Sequence, residues 1–339
     1  MKIGLTYDLK EDIEAGRYLQ DDALEEYDSK EVINAIAGAL TSLGHNVVKL
    51  GGGRKFLSRV LRTEPDFVFN IAEGRGNYRS REAQVPSVLE MLQIPYSGSD
   101  PETLSITLDK PLAKQLIRDA GVTTPPWIVV NSLRELKSLP DKDLPIPAFI
   151  KPAFEGSSKG IRLTSRADVA SKIRSTAREL LKKYSQPVLV EKYIAGEEVT
   201  VGIVGNSPPA IVAIMHIIPR KKFKTFVYSL EVKRDWRNLV EYECPAKFSK
   251  SIIKRIKEAS LLAYKALGCR DFSRMDFRLS EDGIPYLLEV NTLPGLNPVS
   301  GDLPIMSYKM GWSYNALIKS ILEAGLARYG DAFISSHNI

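Results

Sequence analysis

Short apolar stretches alternate with helix-like segments along the N-terminal part of the chain, and this alternation restricts the fold more than any other sequence feature. Strands that alternate with helices indicate a parallel sheet with helices packed on its faces. The pattern therefore predicts an α/β fold that begins with a small doubly wound domain over residues 1–98. Its predicted strands are residues 2–7, 46–50 and 66–71, and its predicted helices are residues 28–44 and 84–93.

The pattern changes after residue 98 and divides the remainder into two further predicted modules. A central module, residues 99–186, contains a helix over about residues 103–120, a strand at residues 127–130, a glycine-containing loop and a long basic helix. From Pro187 the chain is rich in strands, which predicts a third module over residues 187–330. Its predicted strands are 188–194, 199–204, 211–217, 273–279 and 286–291, its predicted helices are 249–267 and 312–324, and a loose tail follows.

The composition is typical of a globular protein that binds neither membranes nor nucleic acid. Of 339 residues, 44% are hydrophobic and 26% are charged. The formal charge is +6, but the basic residues are scattered, so no nucleic-acid partner is predicted. No apolar run reaches the roughly 18 residues of a membrane span, and residues 1–12 lack the apolar core of a secretory signal. Two cysteines, Cys244 and Cys269, in no metal-binding spacing predict a reduced, cytoplasmic chain.

Two predicted strands near the C-terminus carry acidic residues among apolar ones. Side chains alternate between the faces of a strand, so Asp276 shares a face with Arg274, and Glu289 shares a face with Asn291. If the two strands pair, Asp276, Glu289 and Asn291 can converge. Their oxygens form a hard ligand set of the kind that Mg²⁺ prefers beside phosphates. A solvated sheet face with ordinary surface acids is the alternative.

Two further segments have residue types that suit a nucleotide. The loop at residues 151–160 is rich in glycine and serine, which let backbone N–H groups approach an anion. An ordinary hairpin turn would explain the same composition. Glu191 ends a predicted strand and could accept a hydrogen bond from an adenine amino group, and Glu198 could accept from ribose hydroxyls. Two acids beside a turn are the alternative.

Together these segments resemble the ATP-grasp superfamily, and most closely the D-alanine–D-alanine ligases, over nearly the whole chain. The resemblance implies an ATP-grasp fold in which the nucleotide lies between the central and C-terminal modules. No single motif is decisive, but their order and spacing are specific. The matching motifs are Tyr96-Ser97-Gly98-Ser99, Asp109-Lys110, Lys151-Pro152, Glu155-Gly156-Ser157-Ser158, Glu191-Lys192-Tyr193-Ile194, Gly196-Glu197-Glu198, Cys244-Pro245, Arg274-Met275-Asp276-Phe277 and Glu289-Val290-Asn291-Thr292-Leu293-Pro294-Gly295.

The resemblance also implies roles for individual residues. Those implied to bind ATP are Lys110, Lys151, Gly156, Ser157, Ser158, Glu191, Ile194 and Glu198. Those implied to hold two Mg²⁺ ions, or Mn²⁺ in their place, are Asp276, Glu289 and Asn291. Those implied to be catalytic are Arg274, Lys233, Ser157 and Gly295, of which Arg274 and the Gly295 amide would stabilise a tetrahedral intermediate. Lys233 and Ser300 are implied to bind substrate carboxylates, although Ser300 lies one residue further from Pro304 than is usual.

The implied reaction joins two amino acids in two steps. A substrate carboxylate attacks the γ-phosphate of ATP and gives an acylphosphate and ADP. An amine then attacks the acyl carbon, and phosphate leaves. The implied partners are amino acids or similar small molecules, and homodimers are expected by analogy with the family.

The chain departs from the family at the first-substrate end of the site. In the family, an N-terminal turn precedes a glutamate that holds the first substrate's ammonium, and this chain lacks that turn. Glu25, Glu26 or Asp28 could replace the glutamate. The segment at residues 74–86 is longer and more basic than its family counterpart. Arg234 stands where the family has a tyrosine.

The arginines gained at this end predict a substrate with an extra carboxylate, and we expect Arg81 and Arg234 to bind it. Arginines that face solvent from loops are the alternative. We therefore predict an ATP-dependent carboxylate–amine ligase with an altered first-substrate site. The other candidates are an orthodox D-alanine–D-alanine ligase of peptidoglycan synthesis, a non-catalytic ATP-binding protein and a Rossmann-type dehydrogenase. The dehydrogenase lacks support because no glycine fingerprint follows the first strand. The arginines concerned are Arg75, Arg79, Arg81 and Arg234.

Overall fold

The structure, a computed structural model, describes residues 1–13, 20–221 and 226–330, so the predicted C-terminal tail lies outside the described residues. The N-terminal sheet is parallel, with strand order β2-β1-β3. Parallel neighbours need crossover connections, and helices supply both of them here. The elements are β1 (Lys2–Thr6), α1 (Lys30–Ser42), β2 (Asn46–Lys49), α2 (Gly53–Thr63), β3 (Phe67–Asn70) and α3 (Gln84–Met91).

Helix α2 is not predicted by the sequence pattern, because its apolar residues do not form one buried stripe. Phe56 and Val60 are buried, whereas Leu57 and Leu61 on the same helix are exposed. The helix ends at Glu64, whose φ of 44° is the left-handed conformation more often taken by glycine. The parallel pairing of the strands on either side is what requires a helix in this position.

The central sheet is antiparallel, with strand order β4-β7-β5-β6. The single helix predicted over about residues 103–120 is in fact two helices, because the Asp109 side chain accepts a hydrogen bond from the Leu112 N–H at 3.1 Å and begins a new helix. Lys110 consequently lies in the first turn of that helix. The elements are α4 (Pro101–Leu108), α5 (Lys110–Asp119), β4 (Trp127–Val130), α6 (Leu133–Ser138), β5 (Ala148–Pro152), β6 (Arg166–Ala167), α7 (Ala170–Tyr184) and β7 (Val188–Lys192).

The third sheet is antiparallel, with strand order β10-β9-β8-β11-β12. Because β7 pairs within the central sheet, the chain enters the third sheet at Glu197 and not at Pro187. The division into three modules remains a prediction. The elements are β8 (Glu197–Val204), β9 (Ala210–Pro219), α8 (Leu230–Arg234), α9 (Trp236–Leu239), β10 (Val240–Glu243), α10 (Lys250–Ala266), β11 (Phe272–Leu279), β12 (Pro285–Asn291), α11 (Asp302–Lys309) and α12 (Tyr314–Ala327).

One apolar core joins the N-terminal sheet to the C-terminal helices. Ile36 of α1 and Phe69 of β3 belong to the same buried cluster as Met306 of α11 and Ile318 of α12. The central sheet has a separate core of its own. Side chains from both parts line the cavities described below. In the described part of the chain no helix is long and apolar enough to cross a membrane.

Candidate functional site

The pairing of β11 with β12 brings together the acids that the sequence places on one face. Arg274 lies opposite Asn291, and Asp276 lies opposite Glu289. The Asp276 carboxylate accepts hydrogen bonds from Arg274 Nε at 2.9 Å, from Arg274 Nη2 at 2.8 Å and from Asn291 Nδ2 at 3.1 Å. It also accepts one from the Thr200 hydroxyl of β8 at 2.7 Å. The predicted convergence of Asp276, Glu289 and Asn291 is therefore present.

Glu289 is surrounded by positive charge. Its carboxylate lies 3.5 Å from the Lys110 ammonium. Burial alone would raise the pKa of Glu289, but Lys110, Lys151, Lys233 and Arg274 together hold that pKa well below its ordinary value. A carboxylate that stays ionised in such a position is suited to a cation or to the edge of a phosphate-binding site.

The oxygen donors on β11 and β12 fit a hard divalent cation only in part. Carboxylate and amide oxygens are appropriate ligands for Mg²⁺. Within the described ranges, however, no group of three or more histidine, cysteine, aspartate or glutamate side chains is arranged to hold a metal. Asp276 and Glu289, with Asn291 beside them, can supply part of an octahedral shell. Other oxygens, such as those of a polyphosphate and water, would have to complete it.

Glu191 is held between two lysines. One carboxylate oxygen lies 2.8 Å from Lys151 Nζ, and the other lies 2.9 Å from Lys114 Nζ. Burial would raise the pKa of Glu191, but the two ammonium groups lower it, and burial reduces the pKa of Lys114 to about 8. Sequence reasoning missed Lys114. Its position four residues after Lys110 is the signal that could have found it, because residues so spaced share a helix face.

A small cavity between the central and third sheets, which we call the sheet cavity, has a volume of about 80 Å³. Residues on β5, β7, β8, β11 and β12 line it, and most of its accessible wall is apolar. It brings together many of the residues predicted to bind ATP or a metal. Those at its wall are Lys151, Ser158, Glu191, Ile194, Glu198, Asp276 and Glu289, together with Lys233.

Arg278 holds two of the residues predicted to bind ATP, Glu198 and Ile194, at the wall of the sheet cavity. Its guanidinium donates to the Glu198 carboxylate at 2.7 Å and to the Ile194 carbonyl at 3.0 Å. Neither contact was expected from the sequence, although Arg278 alternates with Asp276 and Arg274 on the same strand face. Glu198 and Ile194 are thus positioned by a buried arginine that lines the cavity itself.

The glycine–serine loop at residues 151–160 contributes to the wall of the sheet cavity through Ser158 and to two further cavities through Ser157. Ser157 and Ser158 have φ values of 49° and 60°, which residues other than glycine seldom adopt. Lys110 Nζ donates a hydrogen bond to the Glu155 carbonyl and ties the loop to α5. Gly156 and Ser157 line a small third cavity beside Lys110, Glu289 and Asn291. The loop is therefore placed where it can contact a ligand bound beside these residues.

A second cavity, which we call the loop cavity, has a volume of about 420 Å³ and is lined mainly by loop residues. It contains all four residues predicted to be catalytic, and Lys233 lines both this cavity and the sheet cavity. Ser300 and Arg234 also lie at its wall. The predicted residues that it brings together are Ser157, Lys233, Arg234, Arg274, Gly295 and Ser300.

Arg81 lies elsewhere than predicted. Its side chain is 1% exposed and lines none of the cavities described here. It donates hydrogen bonds to Glu26 at 2.7 Å, to the Phe154 carbonyl at 2.8 Å and to Glu155 at 3.3 Å. Gly74 allows this close packing, because a Cβ there would lie 1.9 Å from the Arg81 carbonyl oxygen. Arg81 is a buried cation held by these partners and does not line the loop cavity described above.

The other three arginines of the altered region also have acidic partners. Arg234 donates to Glu25 at 2.5 and 3.0 Å. The remaining pairs are Arg75 with Asp8 at 3.0 Å and Arg79 with Asp109 at 3.4 Å. The structure therefore contradicts the expectation of surplus positive charge for an extra substrate carboxylate. Sequence alone could not reveal these partners, because each lies far away along the chain.

The three acids proposed to replace the family glutamate differ in their surroundings. Glu25 is paired with Arg234. Glu26 is buried against Arg81 and Lys159, which outweigh burial and lower its pKa. Asp28 lines the loop cavity, and burial raises its pKa to about 7. Glu73, which sequence reasoning missed, lines the same cavity, and its position just after a buried strand was the available signal.

Comparisons with known proteins agree with this geometry. Residues 116–323 match the family model described as D-ala D-ala ligase C-terminus. The D-alanine–D-alanine ligase of Aquifex aeolicus is 33% identical over 289 residues, which cover 85% of this chain and 92% of that protein. An uncharacterized protein of Sinorhizobium fredii, y4sG, is 31% identical over 312 residues, or 88% of each chain.

A solved structure of similar shape defines the fold class. The crystal structure of the D-alanine–D-alanine ligase from Bacillus anthracis complexed with ATP has a TM-score of 0.74 and 25% identity, and the match covers 98% of this chain and 99% of that one. The predicted ATP-grasp fold is thereby confirmed, and the class is that of ATP-grasp ligases. Within that class, the chain belongs to the D-alanine–D-alanine ligase family.

Proposed function

We propose that the protein uses ATP to join the carboxylate of one amino acid to the amine of another. The observation that carries this proposal is the meeting of two cavities at Lys233. The sheet cavity has the apolar wall and polar end groups that suit a nucleotide, and at about 80 Å³ it has to widen to admit one. The loop cavity, at about 420 Å³, is large enough for small polar substrates. The ATP-bound relative supports the assignment of ATP to the sheet cavity.

Magnesium ions belong to this proposal. Asp276, Glu289 and Asn291 would hold them, and phosphate oxygens would complete their coordination. When bound, Mg²⁺ offsets phosphate charge and aligns the γ-phosphate for attack. The lysines around Glu289 would contact the phosphates directly, with Lys110 and Lys151 as the nearest cations on the central module.

The proposed chemistry has two balanced steps. An oxygen of the first substrate's carboxylate bonds to the γ-phosphorus while the bond to the β-phosphate oxygen breaks, which releases ADP. The second substrate's amine then bonds to the acyl carbon, loses a proton, and displaces inorganic phosphate. Arg274 and the Gly295 N–H would stabilise the negative oxygen formed in between, because both face the loop cavity.

D-alanine in both substrate positions is the second candidate. Relatives named D-alanine–D-alanine ligase favour it. The altered N-terminal segment favours a different first substrate, because Glu25 and Glu26 are engaged by basic side chains of this chain. We also propose a cytoplasmic location and a homodimer. The free cysteines Cys244 and Cys269 fit a reducing compartment, and the homodimer rests on the family resemblance.

Phosphate release from Mg-ATP tests the proposal. Amino acids of both chiralities would be supplied singly and in pairs, and products identified by mass spectrometry. Release that requires an amino acid and yields an amide supports a ligase. ATP binding without release under every condition would instead indicate a non-catalytic ATP-binding protein. Formation of the D-alanine dipeptide alone would establish the second candidate.

A further inference from the structure

Four buried charged side chains form a closed ring beside the glycine–serine loop. Arg81 lies 2.7 Å from Glu26 and 3.3 Å from Glu155. Lys159 lies 3.1 Å from the same Glu26 carboxylate and 2.6 Å from the same Glu155 carboxylate. None of the four side chains is more than 10% exposed. Each acid therefore has two basic partners, and the two positive charges balance the two negative charges without a ligand.

The ring joins the glycine–serine loop to both segments in which the sequence departs from the family. Glu26 lies in the N-terminal stretch, and Arg81 lies in the basic segment at residues 74–86. Glu155 and Lys159 are loop residues. Buried ion pairs make strong demands on geometry, because a charge that loses its partner in a buried position is costly. The two altered segments therefore restrict where this loop can lie.

The loop residues between Glu155 and Lys159 have a backbone conformation that needs such support. Ser157 and Ser158 both have positive φ values, and residues in this sparsely populated region remain there only where the surrounding structure holds them. Neither serine hydroxyl makes a hydrogen bond within the described residues, so the two side chains do not supply that support. Glu155 precedes the serines and Lys159 follows them, which places a ring residue on each side of the strained turn.

We propose that Arg81 and Lys159 are positioning residues for ATP, because the ring that they complete holds Ser157 and Ser158 at the cavity walls. Ser158 lines the sheet cavity, and Ser157 lines the loop cavity and the small cavity beside Lys110. In the described part of the chain, Arg81 and Lys159 line none of these three cavities, so they act through the loop. This inference rests on the proposed ligase function and gives the altered N-terminal segments a role in holding the nucleotide site.

Two substitutions of Lys159 test the positioning role. Lys159→Gln removes a cation from the ring, whereas Lys159→Arg keeps one between the two acids. Phosphate release is measured over a range of Mg-ATP concentrations with the wild type's amino-acid substrates at saturation. We expect Lys159→Gln to lower kcat/KM for ATP at least about tenfold and Lys159→Arg to stay within about threefold of the wild type, because a shift of about 1 Å in a positioned group can cost about a hundredfold in rate. Unchanged kcat/KM in Lys159→Gln, or equal losses in both variants, would overturn the proposal.

Arg328→Gln is the matched control for a loss of stability alone. Arg328 lies 3.0 Å from Asp271, whose side chain is fully buried, and among the described residues it lines none of the three cavities. Both glutamine variants remove a cation from a buried acid, so both should melt at a lower temperature than the wild type. At a temperature well below melting, only Lys159→Gln should have altered ATP kinetics. An equal loss in Arg328→Gln would assign the effect to stability and contradict the positioning role.

A double variant tests whether the ring acts as a unit. Glu26→Gln and Lys159→Gln break the same ring, so their losses of kcat/KM for ATP should not multiply, and the double variant should stay within about threefold of the weaker single variant. Losses that multiply would mean that the two residues act separately, and the ring would be ruled out as the cause. If Lys159→Gln does not fold, Glu26→Gln takes its place in the comparison with Arg328→Gln.

Failure of the ligase function would be recognisable separately. If no amino acid promotes phosphate release by the wild type, the proposed function fails, and calorimetry then decides the positioning role. A non-hydrolysable ATP analogue would be titrated with Mg²⁺ into the full chain. A Kd at least about tenfold weaker in Lys159→Gln, with no such change in Arg328→Gln, supports the role of the ring. Equal affinity in the wild type and Lys159→Gln, or no binding by the wild type, overturns it.

Discussion

The sheet cavity and the loop cavity share Lys233, but their charged groups are arranged in opposite ways. In the sheet cavity, Glu191 has two lysine partners, and Glu198 has Arg278. In the loop cavity, Asp28 and Glu73 have none among the described residues. Two acids of the first cavity are thus paired with basic residues of the chain, whereas two acids of the second cavity are not paired within the described residues.

The difference follows from the elements that build each cavity. Strand residues line the sheet cavity, and antiparallel register fixes which side chains face one another. Loops and short helices from all parts of the chain line the loop cavity. Such segments accept sequence changes without disturbing a sheet, so substrate choice can vary while the ATP chemistry is kept. The predictions below test this contrast, beginning with the largest expected effect.

Replacing Glu289 by glutamine should reduce turnover at least about a thousandfold, because the neutral amide weakens metal and phosphate positioning at the γ-phosphate. Phosphate release under saturating substrates measures the loss, and thermal melting checks that the fold persists. Glu281→Gln is the matched control, since Glu281 is an exposed acid in the turn between β11 and β12. Full activity in Glu289→Gln would remove this residue from the proposed metal site.

The metal-site face was predictable from sequence, and the substrate end was not. Alternation along a strand is local information, so the pattern assigns Glu289 and Asn291 to one face, and Asp276 joins them once the two strands are assumed to pair. The partner of Arg81 is Glu26, 55 positions away, and the partner of Arg234 is Glu25, 209 positions away. No periodicity reports such contacts. Free arginines and paired arginines therefore look identical in the sequence, and the surplus positive charge expected at this end of the site is absent.

Replacing Lys114 by methionine should lower the free energy of unfolding by about 3 kcal/mol, because Glu191 loses one of its two buried partners. ATP affinity should fall with it, while amino-acid selectivity stays as in the wild type. Denaturant unfolding and nucleotide titration provide the measurements. Lys254→Met removes an exposed lysine 3.7 Å from Glu258 and serves as control, with an expected change below about 0.5 kcal/mol. Altered amino-acid selectivity in Lys114→Met would mean that a change in the sheet cavity also changes substrate choice in the loop cavity.

Asp28→Asn should stabilise the ligand-free protein in a pH-dependent way. The folded-state pKa of Asp28 is raised to about 7, so protonation favours the folded state, and wild-type stability falls as pH rises from about 4 through 7. The variant avoids that loss and should be more stable at pH 8 by about 2 kcal/mol, with the two proteins converging near pH 4. Melting curves across this range measure the difference. A difference that does not change with pH would show that Asp28 stays ionised throughout.

Arg234→Tyr should have the smallest effect, although it restores the residue type that the resembling family has at this position. Arg234 is 44% exposed, and its pair with Glu25 is worth less than about 1 kcal/mol. Its loss would free Glu25 at the mouth of the loop cavity and loosen the contact of α8 with the Asp21 carbonyl. We expect a change of a few-fold in KM for the first substrate, an altered ranking among amino acids, and an unchanged KM for ATP. A larger change for ATP than for the amino acid would show that Arg234 acts through Lys233, its neighbour on α8, and that the boundary between the cavities lies elsewhere.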